Sequence, residues 1–143
     1  MADVSISTIR KRFADKMATL SGFTESRNPL GTIRTPQSVA HKRFWVGVDS
    51  SKGRPDDRQT GRVLMETGIL VKFAYRLRPK DQITDLDSAL DSGEDVIQLL
   101  TIRSAPLHSD LQIRFISLQS ELAPSGEFVI ETLEFNVIHT ISL

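Results

Sequence analysis

The chain has 143 residues, 39% hydrophobic and 25% charged, with eighteen basic residues against eighteen acidic ones. That is the size and make-up of one soluble domain, and the zero net charge excludes a whole-domain field drawing nucleic acid or an anionic membrane. Cysteine is absent, which excludes disulfides, thiolate metal sites and cysteine nucleophiles.

The lack of cysteine does not fix the compartment, though a reducing cytoplasm is the simplest one to expect, and the N-terminus lacks the apolar core of a signal peptide. No run approaches the ~20 apolar residues of a membrane span. Balanced charge also leaves little repulsion between copies.

The first element predicted is a helix over 7–21. Ile6, Ile9, Phe13, Met17 and Leu20 recur at the spacing of one buried stripe, with Arg10, Lys11, Arg12 and Lys16 on other faces. Ser5 or Ser7 supplies an N-cap oxygen and Gly22 the stop. Residues 23–38 carry prolines, a glycine and turn formers, and read as a connector.

A strand is expected over 39–48, with Phe44, Val46 and Val48 on one face and Arg43, Trp45 and Gly47 on the other. A charged arm follows, Asp49 to Gly61, carrying Lys52, Arg54 and Arg58 against Asp49, Asp56 and Asp57, with Arg62 at its end. It is far longer than the usual hairpin link. From Arg62 to Arg78 the odd positions run Val, Met, Thr, Ile, Val, Phe, Tyr and Leu, while Arg62, Glu66, Lys72, Arg76 and Arg78 fall on the even face. That alternation describes a long strand with one buried face. Its length requires a bend, a bulge at Gly68 or a projection beyond the body.

A second helix is predicted over 84–100, capped by Thr84, with Leu86, Leu90, Ile97 and Leu100 as its apolar stripe and Gly93 bending or splitting it. A strand over 111–119, a turn over 123–126 and a last strand over 127–142 complete the chain. The apolar phase of the last strand slips between Ile130 and Leu133, which predicts a bulge near Glu131. The order α-β-β-α-β-β implies an α+β fold: one mixed, mostly antiparallel sheet of about four long strands, with two main helices packed on it. The whole chain reads as one domain.

Motifs of catalysis are missing. His41, His108 and His139 fall in separate elements with no ligand spacing, and no phosphate loop, GxGxxG or GxSxG occurs. DLDSALDSGED lacks the glycine and terminal glutamate of a calcium loop. No catalytic, metal or cofactor residue is therefore assigned, and an enzyme is not expected. The acidic run Asp85, Asp87, Asp91, Glu94 and Asp95 reads either as a solvated helix face or as a docking surface for basic residues such as Arg10, Arg12 and Lys16, in the same chain or a neighbour's. Arg34, His41, Lys42, Arg43 and Trp45 form a basic cluster with one aromatic, but charge balance and scarce aromatics speak against sequence-specific nucleic-acid binding. Leu64 and Leu70 among charges suit protein contact.

The amphipathic N-terminal helix, the strand around RFWVGVD, the long strand ETGILVKFAYRLRP, the run KDQITDLDSALDSGEDVIQLL and the closing FVIETLEFNVIHTISL together resemble the tail terminator proteins of long-tailed bacteriophages, the lambda-type tail-completion family. The resemblance spans nearly the whole chain and rests on order, length and texture. It implies a virion protein assembled in the host cytoplasm. Its copies would form a homohexameric ring on the last tail-tube ring, stop tube polymerisation, and present a surface to the neck or head-completion protein. DNA would pass through the ring, and no cofactor or membrane would be involved. In that setting residues Asp49, Lys52, Arg54, Asp56, Asp57, Arg58 and Arg62 are the expected assembly arm, a reading of the residues that no family motif assigns. Another ring-forming neck or connector protein, and a small enzyme or ligand-binding module, are the alternatives.

Overall fold

Two 15-residue strands form the spine of the molecule, as seen in a computed structural model that describes residues 2–26, 41–54, 61–123 and 126–142. The elements in chain order are α1 (Ile6–Met17), β1 (Thr24–Glu25), β2 (Arg43–Gly53), β3 (Arg62–Arg76), α2 (Gln82–Thr101), β4 (Gln112–Leu122) and β5 (Phe128–Ser142). The strands make one sheet in the order β1-β2-β3-β5-β4, parallel only between β1 and β2. The α+β class holds, but the sheet has five strands rather than about four. The added strand is a two-residue piece inside the predicted connector, too short for periodicity to reveal.

β3 and β5 pair without a register break, from Arg62↔Ser142 to Arg76↔Phe128. The bulge predicted near Glu131 is therefore absent, and of the three ways offered for the long strand a bulge at Gly68 is not the one used. The sheet's two bulges lie instead in the outer strands, at Asp49 between Val48 and Ser50 and at Ile116 between Phe115 and Ser117. The apparent phase slip in β5 has another cause: the start of that strand is buried on both faces. Phe128 and Ile130 pack with Ala74 on one side, while Val129 meets Leu77 and Ala89 on the other.

Both helices cover the face that carries Ile69, Val71, Phe73, Leu133, Phe135 and Val137. α1 starts where Ser5 accepts a hydrogen bond from the Thr8 amide at 3.2 Å, which satisfies an orphan donor. Ile9, Phe13 and Met17 of the expected stripe are buried, Ala14 joins them, and Ile6 and Leu20 are half-buried. The helix stops at Met17, short of Ser21, and a run of turns ends at Gly22 with φ +82°. That left-handed residue reverses the chain, bringing Phe23 edge-on to Phe73 with ring centroids 5.2 Å apart.

α2 begins behind Asp81 rather than Thr84 and runs unbroken through Gly93. Its buried face is Ala89, Gly93, Val96 and Leu100, whereas Leu90 of the expected stripe is 40% exposed. The small residues decide this. A side chain at Gly93 would put its Cβ 2.7 Å from Leu118 Cδ1, so the glycine permits close approach to the sheet and bends nothing.

Glu131 lies on the helix-covered face with no exposed surface. Ser120 Oγ donates to its Oε2 at 2.6 Å, and Oε1 has no partner. Burial raises its pKa above 4.5, against the opposing pull of the Ser120 bond. A carboxyl that holds its proton more tightly when folded adds stability below pH 4.5, and that stability is lost as pH rises through the folded-state value. Glu131→Met fills the site with an apolar side chain and leaves exposed Ser120 to water. Urea unfolding should show it more stable at pH 7 by about 1–3 kcal/mol, with the gain vanishing in acid; a loss at pH 7 would show that the carboxyl is needed there.

Candidate assembly surface

β2 continues into the expected arm as far as Gly53. Beyond the bulge at Asp49, Ser50 to Gly53 pair with Gly68 to Met65 of β3, and the Arg54 amide donates to the Leu64 carbonyl at 2.9 Å. Asp49 to Gly53 thus form strand, not loop, because Met65, Glu66, Thr67 and Gly68 offer a ladder to pair with. The tip residues Asp56, Asp57 and Arg58 lie outside the described residues. β4 stops opposite Ile138, so past that point the sheet narrows to β2, β3 and β5.

Side chains lock the base of this extension. Arg54 reaches Glu66 at 3.5 Å and Arg62 reaches Asp3 at 3.0 Å. Asp3 also accepts from Thr140 and Ser142, and these bonds, that of Thr140 foremost, with the Arg62 charge, hold its carboxyl below the usual range. Asp3 bridges to Thr140 in parallel, so the N-terminal segment clasps the far edge of β5. Two of the expected arm residues, Arg54 and Arg62, therefore make contacts within the chain, while Asp49 and Lys52 are exposed.

Beneath the extension runs a buried polar chain. His139 and Thr67 have no exposed surface. His139 Nδ1 lies 2.9 Å from the Val4 carbonyl, Nε2 lies 2.7 Å from Thr67 Oγ1, and Thr67 Oγ1 lies 2.6 Å from Ser51 Oγ. The carbonyl can only accept, so Nδ1 carries the proton, Thr67 donates to Nε2 and Ser51 donates to Thr67. Burial lowers the histidine pKa below 6.5 and keeps it neutral. This chain ties the N-terminal segment, both central strands and the arm together. The parity of odd-numbered Thr67 and His139 in their strands was the sequence signal for it.

Among the described residues the other sheet face carries no helix. On it the Trp45 ring lies flat across Gly47, where an added Cβ would come within 2.3 Å of ring carbons, and Lys72 Nζ sits 5.7 Å from the ring centroid. The glycine is what lets tryptophan lie against the backbone. The expected basic cluster does not gather round this ring. His41 packs edge-on against Tyr75, Lys42 reaches the Phe23 ring, and Arg34 lies outside the described residues.

Asp85 leaves the acidic face of α2 altogether. It is 6% exposed and takes both the guanidinium and the backbone amide of Arg78, at 2.7–3.0 Å, and the Arg78 side-chain bonds depress its pKa most. Asp87, Asp91, Glu94 and Asp95 remain exposed. Arg12 donates to the Ser109 carbonyl at 2.6 Å, and among the described residues no ion pair joins α1 to α2. Arg10 and Lys16 are half-buried on α1. A recess lined by His41, Tyr75, Arg76, Arg78, Thr84, Asp85 and Ser88 sits where β3 meets α2. Among the described residues no group of three or more ligating side chains could hold a metal, and no helix is long and apolar enough to cross a membrane.

Comparison of the chain with protein-family models and with curated proteins gave no match.

Thr67→Val keeps the volume of the side chain but strands His139 Nε2 in the core without a donor. It should cost about 1–3 kcal/mol in urea unfolding and loosen the N-terminal segment, read as faster amide exchange at Val4. A neutral substitution would show that the polar chain does not hold the arm's base.

Proposed function

We propose that this chain is a structural ring subunit of the tail of a long-tailed phage, terminating the tail tube and presenting a docking surface to the neck. The observation that carries the reading is the firm construction of the arm's base. Strand pairing extends to Gly53↔Met65, the Arg54–Glu66 and Arg62–Asp3 pairs clamp its base, and the Ser51–Thr67–His139 chain roots it in the core. An element fixed this firmly, with Asp49 and Lys52 facing solvent, is preorganised for contact and loses little freedom on binding. The sheet face that carries Trp45, which no described helix covers, adds a second contact surface. The resemblance in element order and strand length points the same way.

In this reading the chain performs no catalysis. Its partners are other copies of itself, six in a ring, together with tail tube protein on one face and a neck protein on the other. The exposed acids of α2 and the basic side chains Arg10 and Lys16 are available for contacts between subunits. Another ring-forming neck or connector protein would use the same surfaces, and capping of one end of purified tail tubes separates the two.

Removing residues 55–60 should leave the fold intact, because the Arg54–Leu64 bond closes the hairpin below them. Native mass spectrometry should then show the ring species weakened at least about ten-fold, with the melting temperature within a few degrees of the parent. Unchanged ring formation would remove the arm from assembly. A parent chain that stays monomeric at all concentrations, with tube protein present, would sink the ring reading itself.

A further inference from the structure

We propose that β4 of one copy pairs antiparallel with β2 of a second copy, Gln112–Leu118 against Val46–Lys52, so that the sheet continues from subunit to subunit. This rests on the ring reading and names its interface. β4 is the last strand of the sheet, and among the described residues nothing pairs with its outer edge. On the opposite side β1 covers β2 only at Arg43 and Phe44. Among the described residues each copy thus carries two unpaired edges of one sheet, and such edges are templates for another chain.

The bulges set the register. Each outer strand holds one extra residue, Asp49 in β2 and Ile116 in β4, and each extra residue swaps which positions face the helices. Two bulged strands keep their faces matched along their length only if the bulges lie against each other. Two registers achieve this: Arg114 opposite Ser50, or Arg114 opposite Lys52. The second sets two cations directly opposite, which is unfavourable. The first places Arg114 beside Asp49, Gln112 opposite Lys52, and exposed Ile116 (44%) opposite exposed Val48 (39%).

Backbone polarity fits both face-matched registers, so the opposed cations decide between them. The Phe44 carbonyl accepts from the Ser26 amide on the outer side of β2, so alternation sends the polar groups of Val46 outward as well. The Ala123 amide donates inward to the Phe128 carbonyl of β5, so those of Leu118 point outward. In the proposed register Val46 and Leu118 are directly opposite and exchange hydrogen bonds. Because the contact joins two different edges it is heterologous: it propagates to a closed ring or a filament and does not stop at a dimer.

The chain has no cysteine, so engineered pairs report cleanly. Ser50→Cys with Arg114→Cys in one chain should, under mild oxidation, give a ladder of cross-linked copies at least about ten-fold stronger than Lys52→Cys with Arg114→Cys or either single variant. Both positions are exposed, and circular dichroism confirms the fold. Independently, Arg114→Glu should weaken assembly and Asp49→Lys in the same chain should restore it. Multimers of the parent chain with no such ladder, or without rescue by the charge swap, overturn this interface while leaving the ring reading in place. A parent chain with no multimers under any condition overturns both.

Discussion

The unbroken pairing of β3 with β5 is the constraint on which the other elements depend. Fifteen residues on each strand stay in register from end to end, so the side chains of both strands alternate in phase along the whole length. One face then collects Ile69, Val71, Phe73, Leu133, Phe135 and Val137 as a continuous apolar surface, against which both helices settle. A bulge in either central strand would turn half of that surface to solvent. The irregularities sit in β2 and β4, where one neighbouring strand at most has to accommodate them.

Buried polar groups mark where separate parts of the chain are tied together. Buried Asp85 ties the start of α2 to the end of β3, its carboxylate accepting three hydrogen bonds from the exposed Arg78. His139 and Thr67 join the N-terminal segment to the arm. In both cases the donors and acceptors are matched, so the cost of burial is recovered in geometry that an apolar pair would leave less specific. Glu131 differs: only one of its oxygens is bonded, and the fold keeps it at a cost that grows with pH.

These ties bear on the proposed role. An arm that must meet a neighbour at a fixed place has to be held at its root, and its root here is a strand ladder, two ion pairs and a buried histidine. Among the described residues the sheet ends in unpaired edges with a bulge in each outer strand, which in the proposed reading another copy completes.

Periodicity carried much of the fold. The odd-numbered apolar run of β3 and the stripe of α1 needed nothing beyond the local chain, because one buried face imposes its period on the residues that form it. Local signals failed where a second partner decided the outcome. The stripe of α2 was misplaced because a close sheet selects Ala89 and Gly93 over Leu90, and β5 seemed to slip because its start has neighbours on both faces. Asp49 to Gly53 read as loop because their exposed polar side chains conceal a backbone paired to β3. The sequence by itself determined the α+β class, the long central strands and the presence of a charged hairpin, since these follow from the alternation of apolar residues. Only the tertiary structure decided which carboxylate is locked to Arg78, that His139 roots the arm, and where the two edges carry their bulges, because each depends on contacts between residues far apart in the chain.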